Sequence, residues 1–350
     1  MIKLNFDIKM NRTKVACFDL DHTLIKPKSG KTFPVDKNDW IWIYNNIPDR
    51  LKELYNDNFN IIIFTNQLGI SKNKTNREDI VFKISSIQKE LNFPILAYIA
   101  FKDDIFRKPR IGCWKDFKNN YKIKINKKKS FYVGDMAGRI KNEHFKKDRN
   151  DSDRKFARNI NIKFFTPEIF FKNEKEREWI YNNYKLNFIN SESNLIINPI
   201  NKEILLISGY PASGKSTLAS NLISDKFKDY EYFSKDKYGS RILKFIEKSI
   251  NNNKNIIVDG LLYNYEKRKK YINIAKQYNY KIRIIEINSD LDLSFHMNIF
   301  RSIKTKEDII PKVVYYTYRK NYQKPNSDFF DKIINYIPNY PNKINKYFLY

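Results

Sequence analysis

The sequence predicts an α/β protein with two domains, each built around a sheet of parallel strands. The chain has 350 residues, which exceeds the usual size of a single hydrophobic core and favours two domains of about 150 residues each. Apolar runs alternate with segments of helical periodicity in both halves, and this order is typical of parallel sheets. The halves also carry unrelated motifs, at residues 19–23 and 209–216, so each motif is expected to have its own domain.

Three strands of the first half are predicted from short apolar runs. They are 13–18, Ile61–Phe64 and Phe131–Val133, and they end at Asp19, at Thr65-Asn66-Gln67 and at Gly134-Asp135. Residues 48–57 and 78–91 between them repeat apolar positions with the period of a helix. The ligand crevice of a parallel sheet lies beyond the carboxyl ends of its strands. The polar residues at these three ends are therefore expected to share one site.

A loosely patterned polar stretch predicts the domain boundary. Residues 172–200 lose the apolar pattern, and one helix is expected around 174–184. We expect a first domain at 1–180, a linker at 181–200 and a second domain at 201–350. The second domain begins again with a strand, and its predicted strands are Ile204–Ser208, Asn255–Asp259 and Ile282–Glu286.

Composition limits the class of protein. Lysine and arginine number 66 against 39 aspartates and glutamates, a formal net charge of +27 that favours a polyanionic partner. The bias towards Asn, Lys, Ile and Tyr, as in AT-rich genomes, also adds lysine without any binding role. No apolar stretch approaches the roughly 20 residues that span a bilayer, and Cys17 and Cys113 lack metal-ligand spacing. We expect a soluble, intracellular monomer without a leader peptide, in which Cys17 packs in the core.

The pentad Asp19-Leu20-Asp21-His22-Thr23 has the composition of a site that removes phosphate. Residues i and i+2 of a strand point the same way, so Asp19 and Asp21 can face one substrate. The first carboxylate can attack phosphorus, and the second can protonate the leaving oxygen and later activate water. Two carboxylates repel a phosphate unless a cation intervenes, so Mg²⁺ is expected on Asp19 and Asp21, with Asp135 as a third ligand. The other candidates for contacts with the phosphate are Thr65, Asn66 and Lys108.

Residues 209–216 match the glycine-framed loop G-x-x-x-x-G-K-[ST] that joins a strand to a helix. Backbone amides of such a loop surround the phosphates of ATP, Lys215 neutralises the β and γ oxygens, and Ser216 reaches Mg²⁺. The helix is expected to begin near Lys215. The candidate nucleotide-binding residues are Gly209, Ser213, Gly214, Lys215, Ser216 and Thr217.

Residues 14–171 resemble the phosphatase domain of the eukaryotic polynucleotide kinase 3'-phosphatase family, within the haloacid-dehalogenase superfamily. The likeness runs through the separated segments 18–25, 29–31, 33–34, 39–40, 63–70, 107–109, 133–139 and 153–157. The resemblance implies a Rossmannoid, haloacid-dehalogenase-like sheet. It also implies Asp19 as nucleophile, Asp21 as acid and base, Thr65 and Lys108 as phosphate binders, and Asp135 as a Mg²⁺ ligand supported by Asp153. The family usually has glycine where this chain has His22.

The second half resembles the kinase domain of the same family, in the same order along the chain. The resemblance implies a P-loop kinase-type parallel sheet, with Asp236 as general base, Asp259 near the metal and Arg301 in the lid. Two departures stand out. The D-N-T-N run of the family appears as Asp259-Gly260-Leu261-Leu262, and residues 298–301 keep only the second of two lid arginines. The phosphopeptide-binding domain that often precedes this family's phosphatase is not expected, because the first predicted strand begins at residue 13.

Together these features predict a bifunctional enzyme that heals DNA ends by removing a 3'-phosphate and adding a 5'-phosphate from ATP. Opposite ends of a break need opposite corrections, and a DNA ligase is the expected partner. Three alternatives stay open: a metabolite phosphatase fused to a small-molecule kinase, an active phosphatase with a weakened kinase, and a nucleic-acid-binding repair protein whose catalysis has decayed. Trp40, Trp42 and Trp114 are candidate stacking platforms for bases, although core packing also accounts for them.

Overall fold

A computed structural model describes residues 1–6, 12–181, 195–340 and 346–350. The chain forms two compact units, of which the first comprises Met1–Leu186 and Asn345–Tyr350 and the second comprises Asn187–Ile344. The sequence placed the last residues with the second domain, whereas in the structure they group with the first unit. Each unit contains one main sheet made mostly of parallel strands, so the predicted fold class is confirmed.

The first unit carries eight strands and six helices among its described residues. The strands are β1 (Ile2–Asn5), β2 (Lys14–Phe18), β3 (Ile25–Lys26), β4 (Ile41–Trp42), β5 (Phe59–Asn66), β6 (Ile95–Ala100), β7 (Phe131–Val133) and β8 (Lys163–Phe165). The helices are α1 (Ile47–Asn56), α2 (Leu68–Ser71), α3 (Arg77–Leu91), α4 (Gly112–Tyr121), α5 (Ser152–Ile160) and α6 (Pro167–Lys172).

Six of these strands form one sheet in the order β1-β6-β5-β2-β7-β8. β1 pairs antiparallel with β6, and the other neighbours pair in parallel. β3 and β4 form a separate antiparallel pair directly after the 19–23 motif. Because β2 lies between β5 and β7, the carboxyl ends of these three strands adjoin at one edge, as the sequence predicts.

Both faces of this sheet are buried. Successive residues of a strand point to opposite faces, and β2 follows this rule: Ala16 and Phe18 pack in one apolar cluster, Val15 and Cys17 in the other. Burial raises the pKa of the Cys17 thiol, which keeps it protonated and unreactive. Trp114 also lies in the second cluster with 4% of its surface exposed, so it is a core residue and has no surface for stacking a base.

The second unit has five strands and six helices among its described residues. The strands are β9 (Glu203–Ser208), β10 (Tyr230–Ser234), β11 (Asn255–Gly260), β12 (Lys281–Ile287) and β13 (Lys332–Tyr336). The helices are α7 (Lys215–Ser224), α8 (Lys235–Tyr238), α9 (Ile242–Asn251), α10 (Tyr265–Gln277), α11 (Leu291–Thr305) and α12 (Lys312–Asn321). No helix in the described part of the chain is long and apolar enough to cross a bilayer.

The second sheet is parallel throughout, in the order β10-β11-β9-β12-β13. The central strand β9 again divides its side chains between two apolar clusters, with Ile204 and Leu206 in one and Leu205 and Ile207 in the other. Burial on both faces explains why β9 reads as a continuous apolar run. β9 therefore delivers residues 209–216 to the carboxyl edge of the sheet.

A buried ion pair at the start of β9 gives a stability prediction. Glu203 is fully buried, its Oε2 accepts a hydrogen bond from Arg283 Nη2 at 2.8 Å, and the Tyr230 hydroxyl donates to the same carboxylate at 2.5 Å. We expect Glu203→Ala to lower the stability of the second unit by about 3–5 kcal/mol, because it leaves the Arg283 charge buried without its partner. Hydrogen exchange of the β9 and β12 amides measures this loss.

The matched control is the exposed pair of Lys281 and Asp331, whose charged atoms lie 3.1 Å apart. Lys281→Ala is expected to cost at most about 1 kcal/mol, since water screens this pair. Equal losses in the two variants would show that the Glu203 pair contributes nothing beyond a surface pair.

The prediction of a helix around 174–184 is wrong for residues 174–181, which are the part of this range that the structure describes. α6 ends at Lys172, and Asn173 follows with a left-handed φ of +56°. The backbone beyond it pairs with residues 138–140 instead, through Ile140 N–H to the Glu178 carbonyl and Ile180 N–H to the Gly138 carbonyl. Long-range backbone pairing therefore takes the place of the expected helix. Residues 182–184, and most of the expected linker 181–200, lie outside the described residues.

Candidate active sites

The first candidate site lies where β2, β5 and β7 end. Asp19 follows β2, Thr65 is the second-last residue of β5, and Asp135 follows β7 by two residues. Thr65 and Asp19 are both buried, with 2% and 7% of their surfaces exposed. The Asp135 backbone N–H donates to the Thr23 hydroxyl at 3.0 Å, which ties the third strand end to the 19–23 motif.

Lys108 is the charged centre of this site. Its Nζ lies 2.6 Å from Asp19 Oδ1 and 2.7 Å from Asp153 Oδ1, and it donates to the Tyr132 hydroxyl at 2.7 Å. Burial raises the pKa of Asp19 to about 7, although the Lys108 charge opposes this rise. Burial alone would lower the pKa of Lys108, but the carboxylates of Asp153 and Asp19 outweigh it, and the pKa lies above its ordinary value.

The acidic residues around Lys108 have the chemistry of a divalent-metal site. Carboxylate oxygens of Asp19, Asp135 and Asp153 all lie within 4.8 Å of one another. Asp135 Oδ1 is buried, and the described residues provide no hydrogen bond for it. Burial, and then the charge of Asp19, raise the pKa of Asp135 well above its usual value. Three carboxylates against one lysine leave an excess of negative charge, and oxygen ligands of this kind suit Mg²⁺.

Gly134 allows this cluster to form. A Cβ at this position would lie 2.5 Å from the Asp153 carboxylate, so any side chain here would push Asp153 away. Asp153 is held in turn by the Tyr132 hydroxyl, which donates to Oδ1 at 3.0 Å, and by the Met136 N–H, which donates to Oδ2 at 3.1 Å. The glycine therefore lets α5 bring Asp153 against the end of β7.

Gln67 forms hydrogen bonds with two of the predicted residues of the first site, Asp21 and Thr65. Its amide nitrogen donates to Asp21 Oδ2 at 2.6 Å and to the Thr65 hydroxyl at 2.9 Å. The Asp21 carboxylate is thus directed to Gln67 and is not one of the three clustered carboxylates. Asn66 fixes the backbone of Lys108 from both sides, since its Oδ1 accepts from the Lys108 N–H at 2.9 Å and its Nδ2 donates to the Lys108 carbonyl at 3.2 Å.

His22 has an unusual backbone conformation beside the two aspartates. Its φ is +60°, in the left-handed region that glycine adopts without the cost of a side chain. The His22 N–H donates to the Ile25 carbonyl at 2.7 Å, which closes a tight turn from Asp21 into β3. A histidine therefore occupies this left-handed position, at which the family described above usually has glycine.

The second candidate site is the loop between β9 and α7. Gly214 has a φ of +99°, a conformation that side chains rarely adopt, and α7 begins at Lys215 as predicted. Lys215 Nζ donates to the carbonyls of Gly209 and Tyr210 at 3.1 and 2.7 Å. Burial lowers the pKa of Lys215 to about 8, although Asp259 and Asp236 oppose this effect. A bound phosphate would raise the pKa of Lys215 again, because the negative charge favours the charged form of the lysine.

Asp259 is the acidic partner of this loop. It is buried, and its Oδ2 accepts from the Ser216 hydroxyl at 2.6 Å and from the Tyr232 hydroxyl at 2.9 Å. β11 pairs directly with β9, which brings the end of β11 beside the loop. Ser216 and Asp259 together are the oxygen groups of this site that suit Mg²⁺.

A cavity of about 780 Å³ opens beside the loop. Four of the predicted nucleotide-binding residues line it: Gly214, Lys215, Ser216 and Thr217. Asp236, on the first turn of α8, and Arg301, on α11, line the same cavity. Of the other two, the Gly209 carbonyl accepts a hydrogen bond from Lys215, and Ser213 is fully buried within the loop. The structure therefore brings the predicted base and lid residues together with the phosphate loop.

Several residues of the two sites were missed from the sequence. Tyr132 and Tyr232 lie inside strands and appear in the sequence as ordinary core positions. Gln67 was noted only as the end of a strand. The cavity wall formed by the end of β13 and the residues after it was also missed, and it consists of Tyr336, Pro338, Asn339 and Tyr340. The Tyr340 hydroxyl donates to the Ser213 carbonyl at 3.1 Å, a contact across 127 positions that no local pattern indicates.

Known proteins resemble this chain along most of its length. A family model described as polynucleotide kinase 3 phosphatase matches residues 14–171. A bifunctional polynucleotide phosphatase/kinase of Schizosaccharomyces pombe is 35% identical over 325 residues, which cover 91% of this chain and 78% of that protein. A putative bifunctional polynucleotide phosphatase/kinase of Acanthamoeba polyphaga mimivirus is 35% identical over 360 residues, with coverage of 91% and 83%.

A shorter relative matches less than half of the chain. The polynucleotide 3'-phosphatase of Saccharomyces cerevisiae is 31% identical over 214 residues, which cover 45% of this chain and 87% of that protein. The two longer relatives each match 91% of this chain, so each match extends into both halves. This chain belongs to the family of bifunctional polynucleotide phosphatase/kinases.

Proposed function

We propose that this protein heals DNA ends: it removes the phosphate from a 3' end and phosphorylates a 5'-hydroxyl end. One observation carries the proposal. A buried Asp19–Lys108–Asp153 site and a phosphate-loop cavity occur in one chain, and that chain is 35% identical to relatives named for both activities on polynucleotides. We assign dephosphorylation to the first unit, Met1–Leu186 with Asn345–Tyr350, and phosphorylation to the second unit, Asn187–Ile344.

At the first site Asp19 attacks the phosphorus of the 3'-phosphate. The bond between phosphorus and the 3' oxygen breaks, and Asp21 gives the leaving oxygen its proton, so that an aspartyl-phosphate remains on Asp19. Asp21 then takes a proton from the water that hydrolyses this acyl phosphate, which releases inorganic phosphate and regenerates the Asp19 carboxylate. Lys108 and Thr65 bind the phosphate oxygens. Asp19 and Asp135, with support from Asp153, would hold Mg²⁺, which would supply positive charge to the transferring phosphate.

At the second site the 5'-hydroxyl attacks the γ-phosphorus of ATP. Asp236 accepts the hydroxyl proton, the bond from γ-phosphorus to its bridging oxygen breaks, and ADP leaves. Backbone amides of residues 209–216 and Lys215 bind the β and γ phosphates, and Arg301 reaches over them from α11. Ser216 and Asp259 would hold the Mg²⁺ that accompanies ATP.

The two activities suit a single substrate, a strand break with a 3'-phosphate on one side and a 5'-hydroxyl on the other. A ligase needs a 3'-hydroxyl and a 5'-phosphate, and each site produces one of these groups. The net charge of +27 favours binding of the DNA backbone. We propose DNA strand breaks as substrate and a DNA ligase as the enzyme that acts next, inside the cell.

The deciding experiment uses one labelled oligonucleotide with a 3'-phosphate and a 5'-hydroxyl, incubated with Mg²⁺ and ATP. Loss of the 3'-phosphate and gain of a 5'-phosphate are both expected, and gel mobility after each reaction measures them separately. The same ends presented on RNA, on single strands and at a nick define the preferred substrate. An unchanged oligonucleotide, together with turnover of small phosphate esters, would instead favour a metabolite phosphatase.

Removal of divalent metal is expected to stop both reactions. The carboxylates of Asp19, Asp135 and Asp153 lie within 4.8 Å of one another, so without a cation they repel the phosphate electrostatically. Excess EDTA should reduce both rates by at least about 10³-fold, and MgCl₂ added above the chelator should restore them. Asp135→Asn is expected to raise the Mg²⁺ concentration needed for dephosphorylation and to leave that for phosphorylation unchanged.

A further inference from the structure

The last four residues of the chain are built into the first unit. Phe348 and Leu349 are buried, with 5% and 7% of their surfaces exposed. The Phe348 ring lies 4.8 Å from the ring of Tyr181. The chain thus leaves the first unit after its sixth helix and returns to it at residues 345–350. We call residues 347–350 the returning segment.

The returning segment is bonded to the two residues that follow Lys108. Asn159, on α5, donates from Nδ2 to the carbonyls of Pro109 and Phe348, both at 2.8 Å, and its Oδ1 accepts the Phe348 N–H at 2.8 Å. Arg110 Nε donates to the Leu349 carbonyl at 2.9 Å. The returning segment therefore holds Pro109 through the Asn159 side chain and holds Arg110 by a direct hydrogen bond.

The same segment covers α5, the helix that carries Asp153. Lys155 is fully buried, and its Nζ donates to the Tyr350 backbone oxygen at 2.8 Å and lies 3.1 Å from Asp151 Oδ1. Lys155 Nζ also lies 5.2 Å from the centre of the Phe348 ring, within the range of a cation–π contact. The returning segment thus forms hydrogen bonds with the loop that carries Lys108 and with α5, which carries Asp153.

We infer that the returning segment positions Lys108 for dephosphorylation. It fixes the 107–110 loop against α5, and this fixes Lys108 between Asp19 and Asp153. The inference rests on the proposed phosphatase function of this site. The segment reaches no reacting atom, so its residues are positioning residues. A misplacement of a reacting group by about 1 Å can cost about 10²-fold in rate.

The test uses the full chain and a variant that ends at residue 346, with p-nitrophenyl phosphate as a small substrate. We expect kcat/KM for this ester to fall about 10- to 100-fold, while the ATP-dependent reaction of the second site is unchanged. Phe348→Ala, in the complete chain, should give a smaller loss in the same direction. Phe82→Ala removes a phenylalanine that is 41% exposed on α3 and should change neither activity. Full phosphatase activity in the shortened chain would overturn the inference.

A second comparison separates positioning of Lys108 from general loosening of the unit. The same truncation is made in a Lys108→Ala background and assayed in single turnovers with excess enzyme. If the segment acts through Lys108, its removal costs nothing further in that background. An equal loss in both backgrounds would overturn the inference.

The choice of substrate keeps this test apart from that of the proposed function. Turnover of the small ester without turnover of a 3'-phosphorylated oligonucleotide would refute the polynucleotide substrate and leave the truncation result decisive. A full chain that hydrolyses neither ester would refute the phosphatase and the inference together.

Discussion

Asp19→Asn is expected to abolish removal of the 3'-phosphate and to leave transfer from ATP to a 5'-hydroxyl unchanged. An amide oxygen is a poor nucleophile for phosphorus, so the aspartyl-phosphate cannot form, and a loss of at least about 10⁴-fold is expected. The substitution keeps the size of the side chain. Lys108 keeps its second carboxylate partner, Asp153 at 2.7 Å, so the site should stay folded.

The measurement follows both ends of one oligonucleotide in the same reaction. Trapping of radioactive phosphate on the protein, from a 3'-labelled substrate, provides a direct readout of the intermediate and should disappear in the variant. Asp49→Asn, at an exposed position in the first turn of α1, is a matched control and should retain both activities. Residual 3'-dephosphorylation above about 1% of the original rate would exclude Asp19 as the nucleophile.

Lys215→Ala is expected to have the opposite effect. Lys215 is the buried cation of the phosphate loop, and its Nζ lies against the Gly209 and Tyr210 carbonyls. Without it the negative charge that develops between the β and γ phosphates has no partner inside the loop. We expect 5' phosphorylation to fall by about 10³-fold or more while 3'-dephosphorylation is unchanged.

Transfer of the γ-phosphate of labelled ATP to a 5'-hydroxyl oligonucleotide measures this effect. Lys226→Ala, which removes an exposed lysine just after α7, is the matched control and should have no effect. If either Asp19→Asn or Lys215→Ala silenced both activities in a folded protein, the assignment of one reaction to each site would be wrong.

The order of the two sheets and the position of the main motifs were predictable from sequence. Asp19, Thr65 and Asp135 were expected together because each follows an apolar run, and the structure puts the ends of β2, β5 and β7 side by side. The phosphate loop was predictable for the same reason, since β9 precedes it and α7 begins at Lys215. Periodicity is a local signal, and these features depend on residues that are near one another in the chain.

The helix expected at 174–184 shows where local signals fail. A helix was expected in this polar stretch, but residues 178–180 form backbone hydrogen bonds with residues 138–140. The same limit hid the roles of Tyr132 and Tyr232, whose hydroxyls bind Asp153 and Asp259. Their positions in buried strands give no sign that the end of the side chain reaches a carboxylate.

The sequence by itself determined the two α/β units, the strand ends that carry acidic residues and the loop that suits phosphates. Only the tertiary structure decided that Lys108 lies between Asp19 and Asp153, that Tyr340 contacts the phosphate loop, and that residues 347–350 pack beside Pro109 and Arg110. The physical reason is chain distance. Strands and helices follow from the spacing of neighbouring residues, whereas these contacts join segments tens to hundreds of positions apart and form only when the sheets and helices pack.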